Sequence, residues 1–297
     1  MPPGRIWPRT RHNADTGQFM TFTRTQTALI LGICALFFAF SLLNASWIAP
    51  IPGGGPKLIA SGPAALPVDA KGCIIDPEVG FGATLPAVDI RMLQAAVGLG
   101  AAAVNVPVGT GDESAAIARN FKSTCTADKA RPRAMLAQAP AALSNAEMFL
   151  RIDNPAEVLG LLDAIPEDSK AVYYGSDAVV AVVRKARPAA AVFEVAKAQA
   201  CVSDYKMSGW TGNVPASCRN GTALIRMDQI GYSLWGWPNR FLARMENAGV
   251  RVIIAQDVAG GKITGLTSAD QYGEIASSYN GYIWVDNIAE LGPALKR

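Results

Sequence analysis

Leu93–Asp112 reads LQAAVGLGAAAVNVPVGTGD and joins two different periodicities. Its first part closes a helical stretch, Val88–Leu99, in which Ile90, Leu93, Ala96, Val97 and Leu99 recur near helical spacing. Its second part contains Ala103–Val108, AVNVPV, a short apolar run of β type. Helix followed closely by strand is the repeating unit of an α/β fold.

The alternation continues outward from this stretch in both directions. Strands are predicted at Lys57–Ala60, Phe149–Ile152, Ala171–Tyr174, Ala190–Val195, Ala223–Met227, Arg251–Ala255 and Gly281–Val285. Helices are predicted between them at Pro155–Ile165, Asp177–Ala186, Ala196–Met207, Pro238–Ala248, Ser268–Ser277 and Ile288–Leu295. Asn154 before Pro155 reads as a helix cap, and Gly249 before the strand at Arg251 reads as a helix stop. Eight strands alternating with helices over residues 57–297 have the rhythm of a (β/α)8 TIM-type barrel. The competing architecture is a doubly wound open sheet, which usually carries a glycine-rich turn after its first strand. That turn here is Ala60–Pro67, ASGPAALP, without the G-x-G-x-x-G spacing.

Upstream of the barrel, no charged residue occurs between Arg24 and Lys57. Within that gap lies Thr27–Ala49, TALILGICALFFAFSLLNASWIA. A hydrocarbon core about 30 Å thick needs roughly 20 apolar residues as helix, so the run predicts one N-terminal transmembrane helix. Arginines precede it and none follows closely, which orients the N-terminus to the cytoplasm and the barrel to the far side. Trp47 fits an interfacial anchor. A cleaved signal peptide is the competing reading. It is disfavoured by the long basic region and the lack of a good Ala-x-Ala site. The chain thus divides into a basic cytoplasmic tail (1–26), a transmembrane helix (27–49), a Pro/Gly linker (50–56, PIPGGGP within it) and the barrel domain (57–297).

Charge agrees with this division. The chain has 297 residues, is 50% hydrophobic and 17% charged, and carries a formal +3. The tail alone, with Arg5, Arg9, Arg11 and Arg24 against Asp15, accounts for that excess and leaves the remainder neutral. The folded part therefore lacks the basic field that nucleic acid requires, and no nucleic-acid partner is expected. There is one histidine, His12, and it lies in the tail.

Of the five cysteines, Cys34 lies in the apolar span; Cys73, Cys125, Cys201 and Cys218 fall in the exported domain. An even number there predicts disulfides, paired as nearest neighbours: Cys201 with Cys218 and Cys73 with Cys125. A four-cysteine zinc site would want close CxxC pairs, and none occurs.

Three segments resemble the glycerophosphodiester phosphodiesterases, barrel enzymes of the phospholipase-C-like superfamily. Lys57–Gly62, KLIASG, is similar to the family's first strand and loop. Leu93–Asp112 is similar to the helix, second strand and Thr-x-Asp turn. Asn247–Leu291, with NAGVRVII and YNGYIWVDNIAEL, is similar to the family's ending. The resemblance implies a barrel and descent from phosphoric diester hydrolases. The family's His-Arg-Gly is replaced by Ser61, Gly62 and Pro63, and its metal-binding Glu-x-Asp by Asn105 and Pro107. The second histidine is missing as well. Base, acid and charged metal ligands are all needed for the inherited cleavage, so the family's mechanism does not carry over. Asp112 and Asp153 remain as the catalytic candidates.

Residues at strand ends supply the other candidates. Arg226, Glu194, Asp257 and Trp284 are candidate ligand-binding residues, Arg226 through a phosphate or carboxylate in the barrel mouth or through an ion pair with Glu194 or Asp228. A Ser61–Lys71 dyad has no supporting motif. The expected protein is a membrane-anchored, catalytically inactive barrel in a bacterial-type inner membrane. It would serve as a binding or accessory subunit of an integral membrane complex, or bind a lipid-derived phosphate. The alternative is an active hydrolase of lipid head groups with a rebuilt site. No cofactor or metal is expected, Ca²⁺ or Mg²⁺ entering only with that alternative.

Overall fold

A computed structural model describes residues 23–61, 83–84, 87–88, 90–109, 134–143, 145–231 and 233–295. The chain divides into two compact units between Ser41 and Leu42. Helix α1 (Arg24–Asn44) has no buried residue, and its Leu29, Leu36, Phe37 and Phe38 are exposed. It is long and apolar enough to cross a membrane. The predicted span runs on to Ala49, but the helix stops at Asn44, and Ser46–Ile48 forms a separate 3-10 turn.

Residues from Leu42 onward build the barrel. Its strands are β1 (Lys57–Ala60), β2 (Ala101–Val108), β3 (Glu147–Ile152), β4 (Ala171–Gly175), β5 (Ala191–Glu194), β6 (Thr222–Arg226), β7 (Arg251–Ala255) and β8 (Tyr282–Val285). Consecutive strands pair in parallel except β5 with β6, and β8 closes back on β1 through Lys57↔Tyr282 to Ala60↔Val285. The one missing ladder is between β5 and β6, which leaves a seam in an otherwise closed TIM-type barrel. Each predicted strand matches an observed one within two residues. A hairpin of Asp257–Ala259 with Lys262–Thr264, and short strands at Ala83–Thr84, Ala87–Val88 and Ala134–Met135, are additions.

The helices forming the outer layer are α2 (Ile90–Gly98), α3 (Val158–Ala164), α4 (Asp177–Ala186), α5 (Val195–Ser208), α6 (Asn239–Asn247) and α7 (Ile288–Leu295). Helix α4 shows why these segments fold as they do. Ser176 caps it by accepting from the Val179 N–H, Asp177 sits in the first turn, and Arg184 and Lys185 sit in the last. Its Val179, Val180 and Val183 face the sheet. Asn154 caps the chain as predicted, but the turn it begins, Pro155–Glu157, is 3-10, and α3 starts only at Val158. The predicted helix at Ser268–Ser277 is shorter, Ala269–Gly273.

Alternation along the strands sorts side chains into two cores. Val104, Val106 and Val108 of β2 join the layer beneath the helices. Ala103 of the same strand joins Ile59, Phe149, Val172, Leu224, Ile253 and Trp284 inside the barrel. Aromatic rings fill that interior: Trp284 meets Phe149 and Tyr174 edge-on at 5.8 and 5.7 Å, and Tyr174 stacks on Phe193 at 4.9 Å.

Across the seam the covalent chain supplies what the ladder does not. Cys201 of α5 is bonded to Cys218, which lies just before β6, as nearest-neighbour pairing predicts. Both are fully buried. Cys73 and Cys125 lie outside the described residues, and Cys34 is a free, exposed thiol of α1.

Candidate functional site at the barrel mouth

The C-terminal ends of the strands carry the positions at which the family resemblance expects chemistry. Asn105 and Pro107 share the inward-facing register of Ala103 on β2, and both are buried. Ser61, at the end of β1, is buried beside them. These side chains form a closed relay: the Tyr174 hydroxyl donates to Asn105 Oδ1 at 2.7 Å, and Asn105 Nδ2 donates to Ser61 Oγ at 2.9 Å. Tyr174 was not among the predicted site residues. Its run, AVYY, reads only as a strand. Which of the two tyrosines turns inward depends on pleat register; Tyr173 faces outward and accepts from Arg187 at 3.3 Å.

The relay is neutral, and its oxygens are in use. A hard divalent cation prefers charged oxygen ligands. Asn105 offers an amide oxygen already accepting from Tyr174, and Pro107 offers no side-chain ligand. No group of three His, Cys, Asp or Glu side chains able to hold a metal is found among the described residues. These residues do not fit the Ca²⁺ or Mg²⁺ site of the resembled family.

The charged residues of the mouth are paired with one another. Arg226 makes a two-pronged contact with Asp228, Nε to Oδ1 at 3.0 Å and Nη2 to Oδ2 at 2.7 Å, and lies 3.8 Å from Asp257. The hydrogen bond with Arg226 holds the Asp228 carboxyl below its ordinary range and raises the guanidinium further. Of the two readings of Arg226, the ion pair is the one present, with Asp228 and not Glu194. Glu194 pairs with Lys197 at 2.7 Å, and Lys197 also reaches Asp177 at 2.9 Å. Those two carboxylates, Glu194 first, raise the Lys197 ammonium. Asp153 is bound by Arg151 at 2.9 Å. Asp286 accepts from the Gly265 N–H at 2.8 Å, and burial pushes its carboxyl up. Asp257 accepts from the Val258 N–H at 2.7 Å. Trp284 is wholly enclosed and presents no face to a ligand. Asp112, Lys71 and His12 lie outside the described residues.

Among the described residues, four buried side-chain atoms have no hydrogen-bond partner: Glu147 Oε2 and Glu194 Oε2, which are ion-paired, and Trp284 Nε1 and Gln256 Oε1. Buried orphans of this kind cost about 1–3 kcal/mol each unless something satisfies them.

The opposite end of the barrel is closed by different chemistry. Tyr282 donates to Glu147 Oε1 at 2.9 Å, Arg251 lies 3.3 Å from Glu147 Oε2, and the Arg251 guanidinium sits over Phe149 and Tyr282. Burial and then the Glu147 charge push the Tyr282 phenol up to about 12. A cavity of about 550 Å³ opens beside this plug, reaching Ala191 and Thr222 at the lower end of the seam. It sits away from the strand ends where barrels place their chemistry. None of the predicted site residues lines it.

The fold and site define a TIM-type α/β barrel whose mouth is self-paired and whose N-terminal helix is apolar. Comparison with known proteins finds no matching family model, no similar curated protein and no similar solved structure.

Proposed function

We propose that this chain is a membrane-anchored barrel of phosphodiesterase ancestry that binds without hydrolysing. It would act as an accessory subunit of an integral membrane complex, or as a receptor for a lipid-derived phosphate. The observation that carries this reading is the Ser61–Asn105–Tyr174 relay. It stands where the resembled enzymes need an imidazole and a metal-binding carboxylate, and it is neutral, buried and internally satisfied. The ion pairs around it point the same way, because each neutralises an acid that a rebuilt site would require.

The anchor reading rests on α1, whose exposed leucines and phenylalanines need an apolar surrounding. The Cys201–Cys218 disulfide fits an oxidising compartment. With arginines before α1, the N-terminus is cytoplasmic and the barrel extracytoplasmic, in a bacterial-type inner membrane. A fusion reporter after Arg297 that reads as cytoplasmic would overturn this orientation.

The activity test uses the full chain in detergent with glycerophosphodiesters and Ca²⁺ or Mg²⁺. No turnover is expected. Metal-dependent turnover abolished by Asp112→Ala or Asp153→Ala would establish the hydrolase alternative instead. Gentle solubilisation and co-purification tests the accessory role, and a chain that always elutes alone at its own mass argues against it.

A further inference from the structure

The barrel unit begins with the last turn of α1, and that turn is held by named groups. Arg244 Nη2 donates to the Leu43 carbonyl at 2.7 Å, and Arg240 Nε to the same oxygen at 3.1 Å. These two guanidiniums satisfy a carbonyl at the helix end that lacks an intrahelical partner, and their charge suits the negative end of the helix dipole. Asn44 Nδ2 donates to the Trp210 carbonyl at 3.0 Å, and Ser46 Oγ accepts from the Asn239 N–H at 3.0 Å. Arg244 also reaches the Gly209 carbonyl at 3.0 Å and the Tyr205 hydroxyl at 2.8 Å. Residues 43–46 are therefore fixed to α6 and to the turn that ends α5.

Large apolar side chains around this joint are left in the open. Trp47 and Met207 are each 80% exposed, Ile51 73% and Trp210 48%. Single exposed apolar residues are ordinary, but Trp47 and Ile51 follow the bonded Ser46 in the chain, and Met207 and Trp210 flank the bonded Gly209. Tryptophan is the residue enriched at the membrane–water boundary, where its ring is apolar and its N–H is wet.

We infer that the barrel face carrying Trp47, Ile51, Met207 and Trp210 rests in the headgroup region of the bilayer. The inference depends on α1 crossing the membrane. Lipid is the occupant because Trp47 follows the end of that apolar helix in the chain and Trp210 accepts from its last residue, Asn44. The arginines lie at the depth of the lipid phosphates, their usual position beside an apolar span.

The test places the full chain in phosphatidylcholine vesicles, with or without lipid brominated near the top of the acyl chain, and reads tryptophan emission. Bromine quenches the wild-type emission. Trp47→Phe, Trp210→Phe and the double variant should lose that quenching stepwise, the double losing about half or more of it. A cooperative thermal unfolding transition in each variant shows that the barrel is folded. Equal bromine quenching in the wild type and the double variant would overturn the inference. So would full access of Trp210 to aqueous iodide. Alkaline carbonate extraction separates the two ways to fail: a chain released by carbonate refutes the span itself, whereas a chain that stays bound without Trp210 quenching refutes only the docked face.

Discussion

Removal of the Cys201–Cys218 bond reports on the barrel's weak point. The bond spans 17 residues of sequence, with Cα atoms 4.8 Å apart, and ties α5 to the turn entering β6. It lies at the seam, where no backbone ladder joins β5 to β6. For a loop of this length the loss of cross-link entropy amounts to about 3 kcal/mol. For a domain of this size that lowers Tm by roughly 6–12 °C. The assay is thermal unfolding of the full chain in detergent, followed by tryptophan emission, for the wild type with and without reductant and for Cys201→Ala/Cys218→Ala. Reductant should lower the Tm of the wild type by more than that of the double variant, the difference being the share of the Cys201–Cys218 bond. Non-reducing peptide mapping supplies the chemical control, since Cys201 and Cys218 should resist maleimide until reduced while Cys34 reacts. An unchanged Tm on full reduction would refute the stabilising role. Maleimide labelling of both cysteines before reduction would refute the bond and the oxidising compartment with it.

Other substitutions probe the remaining contacts. Arg244→Ala removes donors to Leu43, Tyr205 and Gly209, and should cost about 1–3 kcal/mol in urea unfolding. Arg244→Lys should not restore it, because an ammonium lacks the planar fork that serves three acceptors. At alkaline pH, Tyr282 contributes a definite window. Its phenol ionises near pH 10 in the unfolded chain and is raised to about 12 in the fold. The neutral form is favoured in the native state, so this stability is present below pH 10 and is lost as pH rises toward 12. Tyr282→Phe should flatten stability-versus-pH curves across that interval, and an unchanged slope would sink the assignment. Gly249→Ala should destabilise the α6–β7 turn, because Gly249 has a φ of +68° and an added Cβ would lie 2.6 Å from Asn220 Oδ1.

The strands were legible because apolar runs such as RVIIA and KLIA are short, bounded and evenly spaced. The hairpin at residues 257–264 was not, although its signal was present: Gly260 and Gly261 both have positive φ, the requirement of a two-residue turn. Its three-residue strands are too short for alternation to register. The end of α1 was misplaced for a different reason. Hydropathy continues smoothly through Ala49, whereas the break after Asn44 coincides with bonds to Arg240 and Arg244 roughly 200 residues away. Distance in sequence also hid the site. Asn105 was singled out for what it lacks, and its partner Tyr174 is 69 residues further on. The ion pairs of Arg226 with Asp228, Arg151 with Asp153 and Glu194 with Lys197 are local, two or three residues apart, so they are within reach of sequence reasoning.

Asn105→Asp asks whether the relay itself excludes metal-dependent hydrolysis at the barrel mouth. The substitution is nearly isosteric and places one carboxylate on β2. Tyr174 still donates to one oxygen, and Ser61, which accepts from the amide in the wild type, can rotate its hydroxyl to donate to the other. Two hydroxyl donors do not neutralise a charge held at 7% exposure, so burial raises the new carboxyl above an ordinary aspartate. The variant is then most stable at low pH, where the carboxyl is neutral in both states, and loses stability as pH rises through the raised folded value. Pro107 still supplies no second ligand and Ser61 no imidazole. Calcium should therefore neither bind the variant tightly nor support hydrolysis of a glycerophosphodiester. A calcium-dependent rise in Tm together with measurable turnover would show that a single amide separates this barrel from an enzyme. A falling stability with pH and no calcium response would mean that Pro107 and Ser61 bar calcium chemistry here as much as Asn105 does.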